Sequence, residues 1–399
     1  MTTTEQQTLG AHGPAGLVPL CVPEIRGNEW KYIRECLDTN FVSSVGPFVE
    51  RFENELAKYV GTRYAVATTS GTAALHIALL VAGVQPDDEV IVSTLTFIAP
   101  VNAIRYVGAY PVLVDAEPNY WQMDTQKAIE FLELECRWSN GELRDQATGR
   151  RVKAIVPVDI LGHPVDMDPL IAVARKYKLA IIEDATESLG AKYKDRMVGR
   201  LGDIACLSFN GNKLITTGGG GMIVTDDETM AHRAKYLTTQ AKDDPLEFVH
   251  GEIGYNYRLS NVQAAMGVAQ LEKVNEYITI KRRIAATYTQ ALKDIPGLTP
   301  MREAEWAYSV YWMYTLLVNE TQYGKNSRAL LRRLETKKIQ TRPLWQPVHL
   351  SPAHVQSRSY RCNVAERLNQ IALSLPCSVG LTSADQRRVI DSIFLERDQ

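Results

Sequence analysis

YAVATTSGTAALHIALLVAG, residues 64–83, carries the pattern on which the fold turns. A short apolar strand runs into a turn of Thr, Ser and Gly, and the turn opens a stretch rich in Ala and Leu that is long enough for a helix. The same rhythm recurs in EVIVS (89–93) followed by TFIAPVNAIRYVG (96–108), in PVLVD (111–115), in AIVPVDI (154–160) followed by DPLIAVARKY (168–177), and in LAIIEDA (179–185). Strands written as unbroken apolar runs are buried on both faces. They predict an α/β fold, a mostly parallel sheet covered by helices on both sides. Ligands of such sheets gather at the carboxyl ends of the strands. Chemistry is therefore expected in SGT (70–72), STLTF (93–97) and EDATES (183–188).

Outward from this core, PFVERFENELAKYVG places Phe48, Phe52, Leu56 and Tyr59 on one helical face, with Pro47 at its start and Gly61 at its stop. After about residue 250 the character changes. SNVQAAMGVAQLEKVNEYITIKRRIAATYTQAL reads as one long linking helix with Leu271, Val274 and Ile278 at helical spacing. YSVYWMYTLLV, KKIQTRPLW and the final SADQRRVIDSIFL, whose Ser383 and Gln386 have capping-box spacing, predict a smaller α/β domain. The expected organisation is a flexible polar lead (1–18), a large domain (19–250), and the linking helix with a small C-terminal domain (251–399).

Composition excludes several classes. The 399 residues are 45% hydrophobic, and the formal net charge of -2 offers no basic stripe for nucleic acid and no polybasic tail for a membrane. No apolar run reaches the ~18 residues of a membrane span, and the N-terminal text lacks the basic and apolar regions of a signal peptide. Six cysteines without a CxxC pair argue against a zinc ribbon or redox pair and fit reduced thiols in a cytoplasmic protein. His349 and His354 lack a third ligand at suitable spacing, so no metal is expected. GxxxxGK[ST], GxGxxG and GxSxG are all absent.

Three features remain. Ser70, Gly71 and Thr72 precede a helix, where they could cap it or present N–H groups to an anion such as phosphate. Asp184 ends a buried strand, as a turn residue or as the partner of a cationic ring nitrogen, with Glu187 three residues on. Lys213 lies in SFNGNKLITTGGGG (208–221). Ser208, Asn210 and Asn212 surround it with polar groups, and the glycines allow a tight turn or close backbone approach; a lysine held there could form a Schiff base. A phosphate turn, a buried acid and a lysine together match the needs of pyridoxal 5'-phosphate (PLP), with Phe97 as an aromatic face.

SGTAAL (70–75), TFIAPVNAI (96–104), EDATESLGAKY (183–193), LSFNGNKLITTGGGGMIVTDD (207–227) and GYNYRLSNVQAAMG (254–267) occur in the order of the DegT/DnrJ/EryC1/StrS sugar aminotransferases, which the chain resembles from about Val18 onward. The resemblance implies the aspartate-aminotransferase-like fold (PLP-dependent transferase type I), with a large mostly parallel domain and a smaller C-terminal α/β domain. It implies Lys213 as the Schiff-base lysine, Asp184 at the pyridine nitrogen, Phe97 on the ring, and Gly71, Thr72 and Ser208 on the phosphate with Ser70 near. Asn256 resembles the asparagine that reaches the phosphate from the neighbouring subunit, which implies a homodimer with shared active sites. Many members read TTGEGG where this chain reads TTGGGG, so Gly220 is taken to replace an acid. With SFNGNK and DATESLG, this resembles C4 aminotransferases of legionaminic-acid (LegC-like) pathways. It implies UDP-4-keto-6-deoxy-N-acetylhexosamine as acceptor and glutamate as donor. A GDP-sugar acceptor of the perosamine type competes with it. A dehydratase of the same fold would carry histidine in place of Lys213, and a non-enzymatic PLP-binding regulator would keep the same motifs. Arg342 and His349 are polar candidates for the donor carboxylate, each equally able to be structural.

Overall fold

A computed structural model describes residues 16–244 and 246–396; the expected lead falls outside them up to residue 15. Val18, at its end, is instead buried and paired, its N–H on Lys338 O at 2.9 Å and its O accepting from Gln340 N at 2.9 Å.

The apolar runs become strands: β1 (Tyr64–Thr68), β2 (Glu89–Ser93), β3 (Tyr110–Val114), β4 (Val152–Val156), β5 (Ala180–Asp184), β6 (Ile204–Ser208) and β7 (Gly221–Thr225). Later in the chain come β8 (Leu298–Pro300), β9 (Tyr314–Val318), β10 (Arg358–Tyr360) and β11 (Ala372–Leu375). The large sheet has eight strands in the order β1-β7-β6-β5-β4-β2-β3-β10. All of its pairings are parallel except those of β7, which runs antiparallel to both β1 and β6. Two antiparallel steps restore direction, so β1 ends on the same edge as its parallel neighbours. That edge collects the loops after β1, β2, β5 and β6. A separate antiparallel sheet, β8-β9-β11, is built from the C-terminal part, which also lends β10 to the large sheet.

Helices α1 (Glu29–Asp38), α2 (Pro47–Val60), α3 (Gly71–Val81), α4 (Ala99–Tyr106), α5 (Met167–Tyr177) and α6 (Glu228–Thr238) belong to the first two thirds of the chain. On α2, Phe48, Phe52 and Leu56 are buried, Pro47 starts the helix, and Gly61 ends it in the left-handed conformation at φ 87. Burying a phenylalanine side chain stabilises by roughly 1.5–3 kcal/mol. Phe52 lies so close to the next layer that a Cβ on Gly267 would sit 2.6 Å from its Cζ.

The expected single linking helix is two: α7 (Asn261–Leu271) and α8 (Val274–Leu292). The interruption frees Glu272, whose carboxylate accepts from Asn28 Nδ2 and Tyr32 OH, both at 2.7 Å. A capping box starts α7, but it is Ser260 with Gln263. At the last helix, α9 (Ser383–Leu395), the cap is Thr382, which accepts from Asp385 N at 3.0 Å. Gln386 points inward to donate to Ile284 O instead, so the expected Ser383–Gln386 box does not form. Among the described residues, no helix is long and apolar enough to cross a membrane.

Candidate active site

The carboxyl edge of the large sheet opens into a cleft of about 380 Å³. Ser70, Gly71, Thr72, Phe97, Asp184, Glu187, Ser208 and Lys213 all line it. They arrive from the ends of four strands, β1, β2, β5 and β6, which is why residues so far apart in sequence converge.

The SGT turn is held by its neighbours. Ser70 caps α3, its Oγ accepting from Ala73 N at 3.0 Å, and the first N–H groups of a helix lack intrahelical acceptors, so those of the turn are left for an anion. The cap on Ala73 N is therefore present, and it leaves room for the anion reading. Gly71 must be glycine, because a Cβ there would stand 2.8 Å from Ser208 Cβ. Across the turn a Cβ on Gly221 would stand 2.5 Å from Ser70 O. The last residue of β6 and the first of β7 thus press the turn into place from the strands.

Lys213 extends from the loop joining β6 to β7. Its N–H donates to Asn210 O at 3.0 Å, its Nζ lies 3.3 Å from Glu187 Oε1, and the same Nζ lies 4.2 Å from the Trp312 ring centroid. Glu187 is fixed in turn by Leu161 N at 2.9 Å, where Leu161 holds a left-handed backbone at φ 61. Burial pushes the Glu187 carboxyl up, and the Lys213 ammonium opposes it. Asp184, at the end of β5, is buried with 2% exposure and accepts from Thr186 N at 3.1 Å. Burial pushes its carboxyl up as well, opposed by its hydrogen bonds with Thr186 and by Lys213.

Phe97 lines the cleft yet remains 54% exposed, an open aromatic face. Asn256 is exposed and is not among the cleft-lining residues of its own chain; its backbone bridges to Thr239. Arg342 and His349 do not line the cleft either. Arg342 donates to Thr341 O, while His349 bridges Thr94 and Glu366. Trp312 and Trp345 do line it, and sequence reasoning missed both, because each sits in text that reads as ordinary strand or loop. TTGEGG places its acid opposite Gly219, not Gly220. A Cβ on Gly219 would meet nothing nearer than Gln263 Nε2 at 3.8 Å, whereas one on Gly220 would strike Thr217 Oγ1.

PLP asks a protein for an anion cradle, an acid for its ring nitrogen, an aromatic neighbour and a lysine. Gly71 without a side chain against Ser208, a buried Asp184 and a Lys213 amine in one cleft meet that demand. The class is that of the PLP-dependent aminotransferases. Residues 23–394 match the model of the DegT/DnrJ/EryC1/StrS aminotransferase family, and the chain belongs to that family. It is 38% identical over 377 residues to a GDP-perosamine synthase of Caulobacter vibrioides (strain ATCC 19089 / CIP 103742 / CB 15), covering 94% of this chain and 97% of that one. A GDP-perosamine synthase of Escherichia coli O157:H7 is also 38% identical, over 378 residues, with coverage of 94% and 97%. Among solved structures, a DegT DnrJ EryC1 StrS aminotransferase from Brucella abortus superposes with a TM-score of 0.85 at 27% identity, covering 93% of this chain and 96% of its own.

Proposed function

We propose that this enzyme moves an amino group from glutamate to C4 of a nucleotide-linked 4-keto-6-deoxy sugar, with GDP-4-keto-6-deoxymannose as the acceptor. The two GDP-perosamine synthases, matched along almost their whole length, support this acceptor over the UDP-linked sugar expected from the legionaminic-acid motifs. The observation that carries the reaction type is Lys213 Nζ, held between Glu187 and Trp312 in a cleft that also contains Asp184.

Lys213 would hold PLP covalently and Asp184 would face its ring nitrogen. Gly71, Thr72 and Ser208 would hold its phosphate with Ser70 near, and Phe97 would lie against the ring. PLP supplies an electron sink for the pair left when the donor carbon loses its proton. Lys213 Nζ, once the donor amine has released it, would be the base that takes and hands back that proton. Glu187 orients the amine from one side, and the Trp312 ring covers it from the other, limiting water. Asn256, exposed and outside its own cleft, would serve a second copy of the chain, so each site would draw on two subunits.

A second reading keeps UDP-4-keto-6-deoxy-N-acetylhexosamine as acceptor; the open space at Gly219 favours a larger substituent there. The test loads the protein with PLP, adds glutamate, measures 2-oxoglutarate, and then supplies each keto nucleotide-sugar in turn. Amination of the GDP sugar is expected, amination of the UDP sugar alone supports the second reading, and amination of neither overturns both. Lys213→Ala should lower turnover by at least about 10²-fold and abolish borohydride labelling of the loop.

A further inference from the structure

Behind the cleft lies a second cluster of reactive groups that amino transfer does not use. Lys281, on α8, is 2% exposed. Its Nζ donates to Trp312 O and Cys377 O, both at 2.6 Å, and lies 3.4 Å from Cys377 Sγ and 4.0 Å from Cys21 Sγ. The two cysteines come from opposite ends of the chain, and their backbones run side by side. Cys377 N donates to Leu20 O at 2.8 Å, and Val22 N donates to Ser378 Oγ at 3.0 Å. Two sulfurs therefore share one buried ammonium on paired segments.

We infer that Cys21 and Cys377 form a reversible disulfide, a thiol modification site built around Lys281 and joined to the loop that carries Lys213. The joining is direct. Asn212 O, the carbonyl just before Lys213, accepts from Cys21 Sγ at 3.3 Å and from Trp312 Nε1 at 2.7 Å. Cys377 Sγ in turn lies 3.5 Å from Trp312 O. Thiols with unequal acidity in contact are the arrangement that thiol–disulfide exchange needs. Here the neighbouring Cys21 thiol and the Lys281 ammonium hold the Cys377 thiol down at about 6 against burial, while Cys21 is pushed up. All six cysteines are free thiols, and the other four are buried.

The co-reactant is a low-molecular-weight disulfide. Cys21, half-buried, is the sulfur that meets it. Cys21 Sγ attacks one sulfur of the small disulfide, its proton passes to the Cys377 thiolate beside the same ammonium, and the first small thiolate leaves. Cys377 then gives up that proton to the departed small thiolate, its sulfur attacks Cys21 Sγ, the mixed disulfide breaks, and the second small thiolate leaves. Two protein thiols are oxidised, and one small disulfide is reduced to two thiols. Closure removes the Cys21 hydrogen from Asn212 O, so that carbonyl keeps only the Trp312 indole.

The full chain is incubated with glutathione disulfide, remaining thiols are alkylated, and tryptic peptides are mapped without reduction. A peptide pair joined through Cys21 and Cys377, lost after dithiothreitol, is expected, together with a reversible change in tryptophan emission. Cys377→Ser should leave glutathione trapped on Cys21. A map of the wild-type chain without that joined pair, or with the bond on other cysteines, overturns the inference, and this reading needs neither a variant nor an activity.

Discussion

Gly219 and Gly221 stand two residues apart and are glycine for opposite reasons. A Cβ at 221 would drive into Ser70 O, so Gly221→Ala should strain the turn at Ser70, cost about 1–3 kcal/mol in chemical denaturation, and weaken PLP retention in dialysis. A Cβ at 219 meets open space, so Gly219→Glu should change stability by no more than about 0.5 kcal/mol. It should still alter which keto sugar is aminated, read by competition between the two acceptors. At this scale the sequence was informative wherever a polar residue ends an apolar strand. Asp184 and Ser208 stand out as polar residues closing apolar strands, although Asp184 could equally be a turn residue and does accept from Thr186 N. Trp312 gave no such signal: in YSVYWMYTLLV an indole is one more apolar side chain, and only the packing shows it lying on Lys213. The same holds for Leu161, whose N–H fixes Glu187 from a loop with no motif.

Among elements, the parallel strands were legible because burial on both faces demands continuous apolar text. Reversal of β7 was not, since MIVTD is equally apolar in either direction and only its pairing with β1 and β6 shows the sense. The strand β10 is polar and three residues long, so no pattern announces it. The last helix offers a test of where helices begin. Thr382→Ala should cost about 1 kcal/mol through loss of the cap on Asp385 N, whereas Ser383→Ala should be nearly neutral; urea denaturation of both variants checks the difference. The opposite ranking would restore Ser383 as the cap.

Across the whole molecule, acids buried away from the cleft set a pH dependence. Glu89 is 1% exposed; burial and the neighbouring Asp145 push its carboxyl to about 7, despite a hydrogen bond from Thr148. The folded chain then holds a proton that the unfolded chain releases near the ordinary value of 4.5. Its contribution to stability is full below that value and is lost as pH rises through about 7. The urea midpoint should therefore fall between pH 5 and 8, and Glu89→Gln should flatten that fall; a parallel slope in the variant would assign it elsewhere.

The outermost strand of the large sheet has a consequence for how the protein is made. β10 lies beside β3 although more than two hundred residues separate them in the chain. A ribosome delivering this polypeptide releases β3 long before its partner, and through most of synthesis that flank of the sheet stays unmated. Nascent copies stalled before residue 358 carry an open seam able to join one another, and chaperone demand should be greatest during that interval.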